Sequence, residues 1–375
     1  MNTRISTRRR VGAVLLALGL TLPPLHAAAP EAPSAARFDL LERPAASSPR
    51  ANTALLLAIT RAGDRLVAVG ERGTVLLSDD NGARWRQADA VPVSVALTNV
   101  HFADAQHGWA VGHGGVVLHS ADGGKTWVRQ LEGREAAQRV LEAAQAAAAG
   151  DAAGDAAGAR RLADAQRLVE DGPDKPLLDV HFVDAQRGFV VGAYGLALAT
   201  EDGGRSWHSI MDRIGDPRGR HLYAIARQGA RLLVVGEQGA MFASEDGGAS
   251  FAPLASPYNG TFFGALIAGD GAVVFGLRGN LFHQPAPGAT WTKVNTGRGE
   301  SVIAGTRLAD GALVLVDEAG RLLRSSDGGA RFEELPASAG PRFTALAEGA
   351  DKTLVMASVR GPLRLAPIDS STEGK

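Results

Sequence analysis

Residues 109 to 127 read Trp109-Ala-Val-Gly112-His-Gly-Gly115-Val-Val-Leu-His-Ser120-Ala-Asp122-Gly-Gly124-Lys-Thr-Trp127. An apolar run closes on a glycine, and a second glycine three positions on opens another apolar run. A polar turn follows and closes on an aromatic. The unit recurs without gaps. Gly70 leads to Ser78, Gly192 to Thr200, Gly236 to Ser244, Gly276 to Gln284, Asp317 to Ser325 and Ser358 to Ala366, always eight residues on. Successive units start 42, 80, 44, 40, 41 and 41 residues apart, which makes seven units with one long gap. Periods of about 40 to 45 residues with four short strands each are the signature of propeller blades. In the second unit the strands are predicted over 97–102, 108–112, 116–120 and 126–130. One such sheet buries too little alone, whereas seven packed radially cover both faces of each.

The turn after the third strand follows Ser/Thr-x-Asp-x-Gly-x-x-Trp/Phe, the Asp-box. Its Asp and aromatic positions are Asp80 and Trp85, Asp122 and Trp127, Asp202 and Trp207, Asp246 and Phe251, and Asp327 and Phe332. Only Gly288 and Trp291 remain of it in the fifth unit. An Asp that recurs five times is a structural device: its carboxylate accepts backbone N–H bonds in the turn, and glycine supplies a positive φ. The aromatic packs between strands. The fold class is therefore all-β, a seven-bladed β-propeller with Asp-box hairpins over residues 36–368. The last unit lacks an Asp-box and a fourth strand, so residues 36–44 are expected to supply the closing strand. Residues 28–35 read as a linker and 369–375 as a disordered tail.

Between units 2 and 3, residues 133–173 are an insertion. Fifteen of the residues from 131 to 170 are Ala, the best helix former. Two helices are predicted, 134–149 and 159–170, joined by a Gly/Asp/Ala stretch. The hairpin reads either as a partner-docking arm or as a tolerated loop expansion.

The chain has 375 residues, 47 Gly and no Cys, with 39 basic against 40 acidic side chains. No Cys means no disulfide framework and no thiolate chemistry. A net charge of −1 leaves no basic excess for nucleic acid. Residues 1–27 read as an export signal: Arg4, Arg8, Arg9 and Arg10 precede an apolar run from Val11 to Leu22, with cleavage expected after Ala27. Twelve apolar residues suit a cleavable signal rather than a span, which needs ~20. The run Thr7-Arg8-Arg9-Arg10-Val11 also loosely matches a twin-arginine signal. A monomeric, periplasmic protein with no membrane insertion after cleavage is expected.

Val-His-Phe-Ala-Asp-Ala-Gln-His-Gly-Trp-Ala-Val-Gly (100–112) and its near copy Val-His-Phe-Val-Asp-Ala-Gln-Arg-Gly-Phe-Val-Val-Gly (180–192), joined to Asp-boxes, resemble the photosystem II stability/assembly factor-like propellers. These are a subfamily of the BNR/Asp-box proteins. The Arg- and Ala-rich composition, with 34 Arg among the 39 basic residues, points to a non-photosynthetic bacterial member. The resemblance implies a non-catalytic scaffold that binds a protein partner, an integral membrane protein or complex, through an arginine patch, without cofactor or metal. The loops between second and third strands, and those between blades, are expected to share one face. On it lie Arg72, Arg218, Arg220, Arg278, Arg298, Arg342 and Arg360, suited to capturing carboxylates. The bland reading of these residues is solvated loop charge neutralised by interspersed acids.

The rival function is a glycosidase or carbohydrate-binding propeller. It would need paired carboxylates ~5–10 Å apart, and Glu71, Glu237 and Glu318 occupy equivalent loops. A sialidase would need a Phe-Arg-Ile-Pro-like motif and a Tyr–Glu pair; the motif is absent, and only Tyr194, Tyr223 and Tyr258 are available. The nine His are dispersed, and His101 and His181 occupy equivalent strand positions, which argues for a blade role over metal ligation.

Overall fold

The computed structural model describes residues 39–150, 156–336 and 341–365. The stretches expected to be an export signal, a linker and a C-terminal tail lie outside them. Seven antiparallel sheets follow one another along the chain, each ordered as a simple meander. Blade 2 pairs Leu97–Phe102, Gly108–Gly112, Val117–Ser120 and Val128–Leu131, within two residues of the predicted strands. First strands begin at Leu56, Leu97, Leu177, Leu222, Phe262, Val302 and Phe343. Each lies against the next, and the first touches the last, so the sheets form a closed ring.

Second strands are buried along their whole length in every blade from 2 to 7 except for the first residue in blade 4. This follows from their position, with a neighbouring blade on either side. It explains why the runs read as continuously apolar rather than alternating. The first glycine of each Gly-x-x-Gly pair answers to close approach. A Cβ at Gly70, Gly112, Gly192, Gly236 or Gly276 would lie 2.1–2.4 Å from a carbonyl oxygen at the start of the first strand. Blade 6 has Asp317 in that place. Its fully buried carboxylate accepts bonds from Arg321 N and Nε, at 2.9 and 2.7 Å, and so holds the turn with a side chain.

The Asp-box turns are built from short local bonds. Asp122 Oδ1 accepts from Ser120 Oγ at 2.8 Å and Thr126 N at 3.0 Å, and Oδ2 accepts from Thr126 Oγ1 at 2.6 Å. Asp202 and Asp246 repeat this with Ser206 and Ser250. Trp127 Nε1 donates to Gly124 O at 2.9 Å and its ring meets Phe102 edge-on; Trp207 meets Phe182 in the same way. Asp80 carries a carboxyl lowered to about 2, first by the bond from Arg84. These Asp and aromatic residues are hairpin staples.

The expected closing strand is corrected by the structure. Residues 39–44 form turns and irregular chain, residues 36–38 lie outside the described residues, and among the described residues the seventh sheet has three strands. Leu41 is buried among Val91, Val93 and Trp127, at the junction of blades 1 and 2. Its neighbours are tied there by Ser94 N to Leu40 O and by Arg134 to Asp39. The ring closes through side chains instead. Leu56, Ile59, Leu66 and Leu76 of blade 1 pack on Ala347, Val355 and Ala357 of blade 7. Thr344 Oγ1 donates to Leu56 O at 2.7 Å, as Thr98 does to Leu177 O between blades 2 and 3. Blade 7 therefore meets blade 1 as any two blades meet, and no exchanged strand is required.

The insertion is a helical hairpin, α1 (Gly133–Gly150) and α2 (Ala156–Asp171). Ala136, Val140 and Ala144 of α1 and Ala165 of α2 are buried in one cluster with Leu131, Leu177 and Leu196. Small residues on one helical stripe let the hairpin settle closely onto blades 2 and 3. Among the described residues no helix is long and apolar enough to cross a membrane.

Candidate functional site: an arginine-bearing face

Two sets of loops meet on one face. Gly73 N donates to Val95 O and Gly239 N to Gly260 O, so the tips of the second-to-third-strand hairpins touch the connections between blades. The Asp-box turns instead bond to first-to-second-strand turns, Gly123 N to Gln106 O and Gly203 N to Gln186 O. The predicted division into two faces follows directly from these contacts, and the helical insertion, itself a connection between blades, stands on the arginine face.

The seven arginines expected on that face do not share one role. Arg220 is spent locally: its guanidinium grips the buried Asp216 at 3.0–3.2 Å and stands 5.6 Å from the Phe242 ring. Arg218 reaches Gln238, and Arg298 lies 4.0 Å from Glu334. Arg72, Arg278, Arg342 and Arg360 are exposed, and their guanidinium groups have no bonding partner among the described residues. They belong to the tips of blades 1, 5 and 7 and to the connection from blade 6 to blade 7. Those blades are consecutive around the ring, so the four cations form an arc.

Acids lie close by, but among the described residues none is ion-paired with the arc. Glu71 accepts Leu55 N at 3.2 Å, Glu237 accepts His221 N at 2.9 Å, and Glu318 accepts Ser301 N at 3.0 Å. Each brace sits at the start of its own blade, the same job three times over. This removes the motive for reading them as paired catalytic carboxylates. A pocket of about 500 Å³ lies at the other ends of the first strands of blades 1, 6 and 7. Its one carboxylate, Glu348, accepts Ala309 N at 2.7 Å, so it too lacks a pair of acids.

Sequence reasoning missed two buried polar clusters. In blade 6, Arg321 joins Asp317, Glu334 at 3.3 Å and Thr296 O at 3.1 Å. The signal was present: an Asp in the glycine slot with an Arg four residues on. In the first strands of blades 2 to 4, Asp179 accepts from Asn99 Nδ2, Val180 N and Ile225 N at 2.6–2.7 Å. One carboxylate thus ties three blades. Burial pushes it up to about 7, against the three donors.

In the same strands the His101 and His181 rings meet across blades 2 and 3 at a 40° tilt, ring centroids 4.4 Å apart. Phe182 N donates to His101 Nδ1 at 3.2 Å, which places the ring proton of a neutral His101 on Nε2. Burial lowers both histidines, His181 to about 4, with Arg227 adding to the effect on each. A base depressed in the folded state contributes stability above its unfolded value near 6.5, lost as the pH falls toward 4. Asp179, raised in the folded state, works in the opposite direction over the same window. His181→Gln isolates one side of this balance. Its stability relative to wild type is expected to improve by roughly 2–3 kcal/mol between pH 7 and pH 4.5, read from urea midpoints. An unchanged difference would refute it.

Among the described residues no group of three or more His, Asp or Glu has the geometry of a metal site.

The model of the family described as "Photosynthesis system II assembly factor YCF48" matches residues 87–148 and 163–322, more than half of the chain. The chain belongs to that family. The gap in the match falls in the helical insertion. The photosystem II assembly protein Ycf48 of a Synechococcus strain is 35% identical over 137 residues, 34% of this chain and 40% of that protein. The chloroplastic photosystem II stability/assembly factor HCF136 of Cyanidioschyzon merolae is 41% identical over 76 residues, 20% of this chain and 16% of that protein. The chain thus spans well under half the length of these curated relatives. Among solved structures, YCF48 bound to a D1 peptide superposes with a TM-score of 0.61 at 16% identity, over 87% of this chain and 100% of that one. YCF48 from Cyanidioschyzon merolae gives 0.58 at 17%, over 85% and 96%. The WD40 propeller domain of Doa1 gives 0.61 at 10%, over 88% and 98%. At these identities the structural likeness speaks for the propeller fold, and membership of the YCF48 family rests on the sequence match.

Proposed function

We propose that this protein is an exported, non-catalytic scaffold. It holds an acidic segment of a protein partner on its arginine face and assists the assembly, stability or operation of a membrane protein complex. The observation that carries the reading is the arc of Arg72, Arg278, Arg342 and Arg360, exposed and without ion-pair or hydrogen-bond partners for their guanidinium groups among the described residues. Guanidinium groups left free on a surface are ready for bidentate capture of carboxylates. Membership of a family of assembly factors supports the same reading, as does a relative solved with a bound peptide. The basic, apolar leader supports export to the periplasm, where the scaffold acts as a monomer. The test is reversal of the four charges, with capture of an acidic peptide as the readout. Undiminished capture by a folded variant would overturn the proposal.

A further inference from the structure

The hairpin tips of blades 1 to 5 each pass through two successive left-handed residues, from Arg72-Gly73 in blade 1 to Arg278-Gly279 in blade 5. The two positions answer to different constraints. At the second, a Cβ would come within 2.2 Å of Val93 O at Gly73, 2.4 Å of Tyr258 O at Gly239 and 2.6 Å of Arg298 O at Gly279. Glycine is required by space at these three, while at Gly195 of blade 3 the nearest atom would be 3.2 Å away. At the first, the positive φ asks for glycine, and Leu41 adds crowding at Gly114 of blade 2, yet the other four blades place Arg72, Tyr194, Gln238 and Arg278 there. The opposite face of the same chain supplies a control. Where its left-handed turns leave open space for a side chain, glycine is still used at Gly229 and Gly269 between strands and at Gly247, Gly288 and Gly328 in the turns after third strands, with Asn81 and Lys352 the non-glycines among the described residues. Large side chains are therefore kept at the tips of one face against the backbone's preference, a pattern expected where the side chain is used.

Tyr194 is the bulkiest of the four, with φ 57° and 54% of its surface exposed. Lys175 Nζ stands 4.8 Å from its ring centroid and is itself held by Asp171 at 3.1 Å and Asp174 at 2.6 Å. The His221 ring lies 5.0 Å away, tied to Glu237 at 3.2 Å. Both basic neighbours already have acidic partners, so what this place offers a visitor is aromatic surface. The arc of blades 5 to 1 offers unpaired charge.

We infer that Tyr194 is an aromatic anchor on the partner face. It receives one aromatic or aliphatic side chain of the same acidic segment that the arginine arc holds. Exposed aromatics held rigidly beside charged contacts are where interfaces concentrate their affinity. The inference rests on the proposed function, and the test separates the two.

Labelled 12-residue Asp/Glu-rich peptides, with a single Phe scanned along the length or with Ala throughout the non-acidic positions, are titrated by fluorescence anisotropy. Wild type is expected to bind the best Phe peptide about tenfold tighter than the Ala peptide. Tyr194→Ala and Tyr194→Gly should bind both peptides at the affinity of the Ala peptide, and Tyr194→Phe should keep most of the preference. Because glycine suits the left-handed backbone, Tyr194→Gly should melt no lower than wild type. If Tyr194→Ala keeps the full Phe preference, the anchor is wrong and the arginine reading stands. If wild type binds neither peptide, the arginine reading fails and takes the anchor with it. A marked loss of melting temperature in Tyr194→Gly would overturn the argument that the side chain is kept against the backbone.

Discussion

Trp109→Ala is expected to destabilise the ring by about 3–5 kcal/mol, the range for emptying a fully buried large aromatic site. Trp109 has no exposed surface, and its ring stacks on Phe182 of the next blade with centroids 3.4 Å apart. Its Nε1 donates to Gln130 Oε1 at 3.1 Å, and Gln130 Nε2 donates to Gly203 O, in the Asp-box turn of blade 3, at 2.8 Å. Alanine removes the stack and leaves Gln130 Oε1 without its donor, so the loss falls on the contact between two blades. In a closed ring one weakened junction is felt by the whole. The melting temperature should drop by roughly 4–7 °C for a ring of this size. Trp109→Phe, which keeps most of the stack and loses only the donor, should cost about 1–2 kcal/mol. An alanine variant that melts like wild type would show that radial packing does not hold the blades together.

The second large effect concerns binding. Replacing Arg72, Arg278, Arg342 and Arg360 together by Glu is expected to weaken capture of an acidic partner segment by at least ~100-fold. Exposed ion pairs contribute about 0.2–1 kcal/mol each, and arginines central to an interface contribute more. Reversal replaces four attractions by four repulsions, so a total near 3–4 kcal/mol is a modest sum, and 1.4 kcal/mol is tenfold. The loss should shrink as salt is raised, because exposed charges are screened beyond about 8 Å at physiological ionic strength. The fold should be unaffected, since these guanidinium groups are exposed and bond to nothing among the described residues. Arg220→Glu should behave differently. It breaks the grip on buried Asp216, so it should lower stability along with binding.

What was legible in the sequence is what is local. The eight-residue spacing and the Asp-box are short-range devices, so Gly112, Asp122 and Trp127 announce their roles without any knowledge of distant residues. The helices of the insertion follow from alanine content alone. Ring closure was misread because Leu40 and Leu41 look like part of a strand. Their true environment is set by the space at Gly114 and by Val91 and Val93, which sequence does not bring together. The candidate site was legible only as a face. Which arginines are free depends on whether an acid such as Asp216 or Glu334 lies within reach, and that is a property of the folded loops. His101 and His181 were recognisable as equivalent strand positions, but their contact across blades was not, and the Asp179 carboxylate that ties three blades was missed.

The central claim, that this face meets a membrane-complex partner, is tested most directly by photo-crosslinking in cells. A photoreactive residue is placed at position 278 on the arginine face, or at position 84 in an Asp-box turn on the opposite face. The account predicts a discrete adduct with a membrane-complex subunit from position 278, lost on reversing Arg72, Arg342 and Arg360, and none from position 84. The same adduct from both positions, or none from position 278, would contradict it.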